Sequence, residues 1–167
     1  MNLNENNKTT ILVTGAFDPL HLGHLLVLKH ASSYGELIVG LNSDEWLQKK
    51  RGFSLIDFKM RKVTLELDVP FISQVIEFDD SDGTCCDAIR KVKPTFFGNG
   101  GSATAASIPK KELELCKELD IEPIFSLGDT SGDFEERYIC LAHETILRHT
   151  LKEVEKMYKL RDFYKEK

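Results

Sequence analysis

The sequence predicts an α/β fold: a five-stranded parallel sheet with helices on both faces, followed by one or more long C-terminal helices. Short apolar runs rich in β-branched residues alternate with segments of helical spacing along most of the chain. The 167 residues, 41% hydrophobic and 29% charged, match one globular domain with a sizeable core. Residues 134–167 contain neither glycine nor proline, which favours uninterrupted helix there.

Strands and helices are predicted to alternate between residues 10 and 127. The strands are short apolar runs, at residues 10–14, 36–42, 71–78, 94–98 and 121–127. Helices are predicted at residues 22–35, which have helical spacing, and at residues 43–50, 58–68, 82–92 and 109–120. Gly15 ends the first strand, and Gly35 ends the first helix. Ser43 is predicted to cap the second helix, and Pro109 fits the first position of the fifth.

The C-terminal helix is predicted to be amphipathic. Leu147, Leu151, Val154 and Tyr158 recur at spacings of four, three and four, which places them on one stripe. Such a stripe can pack on the sheet of the same chain or pair with a second subunit, and both arrangements stay open. Residues 1–8 are polar and are predicted to form a flexible tail.

Charge and cysteine content argue against several classes of protein. The net charge of −5 and the pI of about 5.6 argue against a non-specific nucleic-acid-binding protein. No apolar run approaches a membrane span, and the start MNLNENNKTT lacks the apolar core of a signal peptide, so we expect a cytoplasmic protein. The cysteines lack paired metal-ligand spacing and are expected to be free thiols in a reducing compartment. They are Cys85, Cys86, Cys116 and Cys140.

The string GAFDPLHLGH, residues 15–24, lies where the first strand meets the first helix. Ligands of parallel α/β sheets bind at the carboxyl ends of the strands. Gly15 lets the backbone turn tightly, and the helix start presents free N–H groups and a positive dipole end, which suits phosphate. His21 and His24 share one face of the first turn, where they can donate hydrogen bonds to a polyphosphate. Gly23 leaves room for a nucleotide between them.

Two other interpretations of the histidines stay open when they are taken alone. They can be a pair of surface side chains, or two ligands of a zinc site completed by His30, His143 or His149, although that spacing is unfamiliar. The whole ten-residue string favours phosphate binding over both. No GxGxxG follows the first strand, which argues against a dinucleotide-binding protein.

A second glycine-rich string, GNGGS at residues 98–102, follows the fourth predicted strand. Its glycines give a backbone that can meet a base or a phosphate edge-on, and Asn99 can contact the base or the acceptor. A plain turn is the alternative. The small, polar segment SATAASI, residues 102–108, is predicted to be a mobile lid.

Five motifs follow one another along the chain: GAFDPLHLGH, LIVGLNSDEW, QKKRG, FKMRKVTLE and KPTFFGNGG. Together they resemble the nucleotidyltransferase superfamily with its HxGH signature, in the cytidylyltransferase-like branch. That branch includes glycerol-3-phosphate cytidylyltransferase and a heptose-phosphate adenylyltransferase domain. The resemblance runs from about Thr10 to about Leu127. It implies a Rossmann-like nucleotidyltransferase domain over residues 9–133 and a helical extension over residues 134–167.

The resemblance implies catalytic roles for four side chains. His21 and His24 would hold the triphosphate and stabilise the transition state at the α-phosphate. Lys50 would close over the phosphates and the acceptor, and Arg61 would bind the phosphates from the other side. The side chain that closes over the phosphates and the acceptor can be that of Lys49, Lys50 or Arg51, and all three candidates stay open.

The resemblance also implies a set of nucleotide-binding residues and a metal. The residues are Gly15, Ala16, Phe17, Asp18, Gly23, Gly98, Asn99, Gly100, Thr130 and Ser131. Mg²⁺ is the implied cofactor, and Asp18 would help to position it. The chain departs from the family pattern at GDTSGDFEER, residues 128–137, where a Ser-Thr-rich motif often grips phosphate. Thr130 and Ser131 can substitute for it. Asp129 and Asp133 place negative charge where phosphate would bind. Alternatively, they act through Mg²⁺ or cap the long helix.

The implied activity is transfer of a nucleotidyl group from a nucleoside triphosphate to a phosphorylated small molecule, such as a sugar or polyol phosphate, with release of pyrophosphate. CMP from CTP is the first choice and AMP from ATP the second. Positioning and charge neutralisation suffice for in-line attack, so no protein nucleophile is required. The alternative is an inactive nucleotide-binding sensor or scaffold. A homodimer is expected, and neither nucleic acid nor a membrane is an expected partner.

Overall fold

The described part of the protein, in a computed structural model, comprises residues 8–101 and 103–128. Its strands are β1 (Thr10–Gly15), β2 (Glu36–Leu41), β3 (Ile72–Glu77), β4 (Phe96–Gly100) and β5 (Glu122–Leu127). Its helices are α1 (Leu22–Ala31), α2 (Asp44–Arg51), α3 (Phe58–Asp68), α4 (Cys86–Val92) and α5 (Lys110–Glu118). All strand pairs are parallel, and the sheet has the order β3-β2-β1-β4-β5. The predicted five-stranded parallel sheet is confirmed.

Helices cover both faces of the sheet, as predicted. On one face, Ile11 and Val13 of β1 pack with Leu28 of α1 and Leu65 of α3. Leu12, which points the other way because side chains alternate along a strand, belongs to a second cluster. That cluster also contains Ile89 of α4, Phe97 of β4 and Leu115 of α5. Each fully buried aliphatic side chain of these clusters contributes roughly 1.5–3 kcal/mol to folding.

The caps of α2 and α3 follow the local sequence. Ser43 is the N-cap of α2, as predicted, and its Oγ accepts a hydrogen bond of 3.0 Å from the backbone N–H of Trp46. The Asp57 carboxylate caps α3 in the same way by accepting from the N–H of Met60. Gly52 ends α2 with a φ of 86°, a left-handed conformation that glycine adopts without strain.

The boundaries predicted for the first and fourth helices were wrong. The first was expected over residues 22–35, but α1 ends at Ala31, where the hydroxyls of Ser32 and Ser33 donate to the carbonyls of Lys29 and His30.

The fourth helix was expected over residues 82–92, but α4 begins at Cys86. The carboxylate of Asp82 accepts hydrogen bonds from both the backbone N–H and the hydroxyl of Thr84, at 2.9 and 2.8 Å, and so holds a turn where helix was expected. Pro109 precedes the first helical residue of α5 and does not occupy its first position.

Several predictions fall on residues that the structure leaves undescribed. These are the helical extension over 134–167 with its stripe at Leu147, Leu151, Val154 and Tyr158, most of the tail over 1–8, and Cys140. Lys8, the described end of that tail, forms an ion pair of 3.0 Å with Glu36. Cys85, Cys86 and Cys116 carry free thiols. Within the described ranges, no helix is long and apolar enough to cross a membrane.

Candidate active site

The loop from β1 to α1 lies at the carboxyl edge of the sheet, where the strand order reverses. β1 pairs with β2 on one side and with β4 on the other. The chain therefore builds one half of the sheet as β1, β2 and β3, and then crosses back past β1 to add β4 and β5. A crevice forms at such a position in open α/β sheets, and ligands bind there. The backbone N–H of Asn42, just after β2, donates to the carbonyl of Gly15 at 3.0 Å and ties the two strand ends together.

His21 and His24 meet at the start of α1, as the sequence predicted. His21 is the N-cap, and its Nδ1 accepts a hydrogen bond of 3.3 Å from the backbone N–H of His24. The two rings stack with centroids 3.7 Å apart and planes 21° apart. Because Nδ1 of His21 accepts, the proton of the neutral imidazole lies on Nε2. No acidic side chain occupies the first turn of α1, so the helix end keeps its positive potential.

Phe17 forms the wall behind the histidine pair. It is buried, has a φ of 49°, and its ring meets the ring of His24 edge to face at a centroid distance of 5.0 Å. A Cβ atom at Gly15 would lie 3.0 Å from two carbons of the Phe17 ring, so glycine there lets the ring close over the strand end. Gly23 is buried between the histidines. The string thus gathers Gly15, Phe17, Gly23, His21 and His24 into one wall.

The Asp18 carboxylate binds the segment between α2 and α3. It accepts from the guanidinium of Arg51 and from the backbone N–H groups of Leu55 and Ile56, the last two at 2.8 and 2.9 Å. The guanidinium also donates to the Asp18 carbonyl at 2.9 Å. Both carboxylate oxygens are engaged and the side chain has no solvent exposure. A role in positioning Mg²⁺ stays a prediction, and it would have to compete with these partners.

Arg61 is buried beneath the site. Its guanidinium donates to the carbonyls of Ile56, Ala16 and Asn42, at 2.9, 2.5 and 3.0 Å. It also pairs with the Asp44 carboxylate at 2.7 Å, and its side chain has 0% exposure. Direct phosphate binding by Arg61 stays a prediction. In this arrangement the guanidinium joins the β1–α1 loop, the end of β2 and the start of α2.

Sequence reasoning missed Asp44, which anchors that arrangement. Burial alone would raise the pKa of its carboxyl, but hydrogen bonds from the Phe58 backbone N–H, the Arg61 guanidinium and the Ser54 hydroxyl lower the pKa below its usual range. Asp44 therefore stays ionised opposite Arg61. Asp44 lies directly after the cap residue of α2 and within the motif LIVGLNSDEW, but neither signal assigned it a partner.

Lys49, Lys50 and Arg51, the three candidates for the side chain that closes over the phosphates, contact three different partners. Arg51 lies on Asp18. The Lys50 Nζ lies 4.2 Å from the centre of the Trp46 ring, and the Lys49 Nζ donates to the carbonyl of Ser81 at 3.3 Å. Arg51 therefore faces the β1–α1 loop, whereas the two lysines face the loop that follows β3.

The glycine-rich string is strand for most of its length. It was expected to turn after the fourth strand, but β4 continues through Gly100. A Cβ at Gly98 would lie 2.6 Å from Leu127 Cδ1, and one at Gly100 would lie 2.7 Å from a methyl of Val27 in α1. These glycines therefore let neighbouring elements approach β4. Asn99 donates its amide to the carbonyl of Phe97 at 3.3 Å. Contacts of these three residues with a nucleotide stay predictions.

The remaining predicted residues lie outside the described ranges. They are Asp129, Thr130, Ser131, Asp133, His143, His149 and residue 102 of the predicted lid. Among the residues that the structure describes, no group of three or more His, Cys, Asp or Glu side chains is arranged to hold a metal ion. The zinc interpretation of the histidines therefore has no support from the described part of the chain. His30 instead accepts a hydrogen bond of 3.1 Å from the backbone N–H of Gly128.

Comparison with known proteins decides the family. The family model described as cytidylyltransferase-like matches residues 12–164, nearly the whole chain. The chain belongs to the cytidylyltransferase-like family. It is therefore a nucleotidyltransferase by family, as the motifs predicted.

Curated relatives of this cytidylyltransferase-like chain include bifunctional HldE proteins. The one from Sulfurimonas denitrificans is 33% identical over 110 residues, which cover 62% of this chain and 22% of that protein. The one from Geobacter metallireducens is 34% identical over 110 residues, which cover 64% and 22%. The chain thus spans about a fifth of the length of these relatives.

Two solved structures share the fold. A lipopolysaccharide core biosynthesis protein from Thermoplasma volcanium has a TM-score of 0.59 at 23% identity, covering 71% of this chain and 94% of that one. A putative nicotinate-nucleotide adenylyltransferase from Vibrio parahaemolyticus has a TM-score of 0.52 at 17% identity, covering 77% and 79%. At these identities the likeness shows the fold alone.

Proposed function

We propose that this protein transfers AMP from ATP to the phosphate of a sugar phosphate of the heptose class and releases pyrophosphate. One observation carries the proposal. The stacked pair of His21 and His24 stands at the positive end of α1, in a chain of the cytidylyltransferase-like family. An oxygen of the acceptor phosphate attacks the α-phosphorus of ATP, and the bond from that phosphorus to the bridging oxygen of the β-phosphate breaks. No covalent intermediate with the protein forms.

The protein's contribution is to position the phosphates and to neutralise charge. The Nε2–H of His21 and the backbone N–H groups of Leu22 and Gly23, at the start of α1, donate to triphosphate oxygens, and His24 contributes the second imidazole. Phe17 excludes water behind this pair because its buried ring closes the wall. Arg61 and Asp18 hold the surrounding loops in place, because Arg61 donates to the carbonyl of Ala16 and Asp18 accepts from the backbone N–H of Ile56.

AMP is preferred to CMP here because the HldE proteins are relatives at 33% and 34% identity. The branch that the motifs resemble includes a heptose-phosphate adenylyltransferase domain, which transfers AMP, and the HldE proteins support this member of the branch. The first choice from the sequence, CMP, stays a prediction that no comparison tests. The sugar phosphate is likewise proposed and is open to a direct assay.

Mg²⁺ is proposed as the cofactor, but the described residues do not fit a preformed site for it. Both carboxylate oxygens of Asp18 accept hydrogen bonds from the protein. Mg²⁺ in phosphoryl-transfer sites is commonly held by substrate phosphates and water with few protein ligands. We therefore propose that the ion enters with the triphosphate, and no step above depends on a protein ligand for it.

The test is pyrophosphate release in the presence of Mg²⁺. ATP, CTP, GTP and UTP are assayed one at a time against heptose, hexose, polyol and amino-alcohol phosphates, with His24→Ala as the control variant. Release with ATP and a sugar phosphate alone, lost in the variant, is expected. Release with CTP alone would restore the first choice from the sequence. Saturable nucleotide binding without release for any acceptor would contradict the proposal and favour a sensor or scaffold.

A further inference from the structure

A groove of about 450 Å³ lies beside α2. Trp46, Lys49 and Lys50 line it from α2, and residues 80–83 line it from the loop after β3. The groove shares the carboxyl edge of the sheet with the candidate active site. Lys50 also directly precedes Arg51, which contacts Asp18 of the β1–α1 loop. Asp80, which lines the groove, accepts from the Asn42 amide, and the backbone N–H of Asn42 donates to the carbonyl of Gly15, where the loop that carries the histidine pair begins. These two bonds connect one wall of the groove to that loop.

The Lys50 ammonium group is held without being neutralised. Its Nζ lies over the Trp46 ring, and within the described ranges no carboxylate forms an ion pair with it. A cation–π contact positions a positive charge and leaves that charge available to a second, anionic partner. Lys49 differs, because its Nζ donates to the carbonyl of Ser81 at 3.3 Å.

The groove has two carboxylates: that of Asp80 is fully hydrogen-bonded within the protein, and that of Asp82 keeps one oxygen that can accept from a ligand hydroxyl. Asp80 is buried, and its oxygens accept from the Ser43 hydroxyl, the Ser43 backbone N–H and the Asn42 amide, at 2.6, 2.8 and 3.0 Å. Asp82 is exposed, and hydrogen bonds from Thr84 lower the pKa of its carboxyl, so it stays ionised. Because these bonds use only Oδ1, Oδ2 of Asp82 can accept from a ligand hydroxyl.

A second groove is larger than the groove of Trp46 and Lys50 but differs from it in charge. That groove has a volume of about 570 Å³ and is lined partly by Lys62, Glu77 and Lys91. Lys62 is paired with Glu77 at 3.2 Å, and Lys91 is paired with Asp87 at 2.8 Å. Its ammonium groups are therefore already compensated. The smaller groove is the one that joins an uncompensated cation, an aromatic face and an exposed carboxylate.

We propose that the groove of Trp46 and Lys50 is the binding site of the phosphorylated acceptor. The Lys50 ammonium binds its phosphate, the indole of Trp46 packs on the apolar face of the sugar ring, and Asp82 accepts from a sugar hydroxyl. This inference rests on the proposed function, since it names the place where the substrate of that reaction binds. Trp46 and Asp82 are thereby assigned as specificity-determining residues.

The test uses Trp46 itself, because it is the only tryptophan of the chain. Its fluorescence is titrated, without nucleotide, with glucose 1-phosphate, sedoheptulose 7-phosphate and glycerol 3-phosphate, and with inorganic phosphate and free glucose as part-ligands. A saturable change with a sugar phosphate, weaker with either part-ligand, is expected. Lys50→Ala is expected to weaken that binding about tenfold. Lys62→Ala, in the second groove, is the matched control and is expected to leave it unchanged.

Kinetics separate this inference from the proposed function. Where pyrophosphate release is observed, Trp46→Leu and Asp82→Asn are expected to raise the KM for the acceptor while the KM for ATP stays unchanged. Turnover that saturates with acceptor, with no change in Trp46 fluorescence and no change of that KM in either variant, would overturn the inference and leave the function standing. A fluorescence response lost in Lys50→Ala, without any turnover, would support the groove and contradict the proposed reaction.

Discussion

Arg61 and Asp44 form an ion pair of 2.7 Å in which the arginine side chain has no exposure and the aspartate side chain is 36% exposed. The pair joins α3 to the start of α2, and the same guanidinium reaches the carbonyl of Ala16 in the β1–α1 loop. A side chain on the third helix thus determines the path of the loop that carries the histidine motif. The residue was predicted to contact phosphate, and the structure shows it holding the backbone around the site.

Replacing this arginine is expected to cost stability. Arg61→Met removes four hydrogen bonds: three backbone carbonyls lose the guanidinium donor, and Asp44 loses its ion pair while it keeps the hydrogen bonds from Phe58 and Ser54. Loss of one partner of a buried pair costs about 3–5 kcal/mol, and we expect about 2–3 because Asp44 is partly exposed. Urea unfolding measures the change. Lys62→Met on the same helix is the control and is expected to cost less than about 1 kcal/mol. Equal losses in the two variants would contradict the role given to Arg61.

The histidine pair is expected to act in catalysis and not in folding. His24→Ala removes one of the two stacked imidazoles and is expected to lower kcat by at least about 100-fold, the cost of one preorganised donor to developing charge. The circular dichroism spectrum and the melting temperature should stay near those of the wild type, since the ring lies at a helix start and is half-buried. His30→Gln, in the last turn of the same helix, is the control. Normal turnover in His24→Ala would refute the mechanism.

A buried carboxyl group on α5 is expected to make stability depend on pH. Burial raises the pKa of Glu112, although the backbone N–H of Cys85 donates to the carboxyl at 2.8 Å and opposes the shift. Because the folded pKa lies above the unfolded value near 4.5, the folded state holds the proton more tightly. The free energy of unfolding therefore falls as pH rises from about 4.5 through the folded pKa, and it stays lower above that window.

In Glu112→Gln, this contribution to the pH dependence of the free energy of unfolding is expected to be absent. Relative to the wild type, the variant should gain stability as pH rises from 4.5 toward neutrality, in urea titrations at a series of pH values. Glu114→Gln, an exposed position on the same helix, serves as the control and should follow the wild-type curve. A wild-type curve parallel to that of Glu112→Gln would show that burial does not shift this group.

The thiols near Glu112 are expected to be unreactive in the native protein. Burial, with the nearby charge of Glu112, raises the pKa of Cys85 to about 12 and that of Cys116 to about 11. Thiolate, the reactive form, is then scarce at pH 8. In a Cys140→Ser background, Ellman's reagent should react at least about 100-fold more slowly than with a free thiol until urea unfolds the chain. Rapid labelling of two or more thiols in the native state would disagree with this packing.

The sequence predicted the sheet and the histidine pair because both depend on local patterns. Apolar strands that alternate with amphipathic helices require a parallel sheet covered on both faces, and β1 shows it by sending Ile11 and Leu12 into different clusters. A spacing of three residues at a helix start places His21 and His24 on one face without any tertiary contact. The cap at Ser43 follows in the same way from its own side chain.

Tertiary structure alone decided what the charged residues contact. Whether Arg51 reaches Asp18 or a ligand, and whether Arg61 faces a phosphate or three buried carbonyls, depends on how α2 and α3 pack against the strand ends. A long cationic side chain can reach many partners, and only the folded backbone selects one. The same holds for Lys50 and Trp46, which become one wall of a groove only when the loop after β3 lies beside α2.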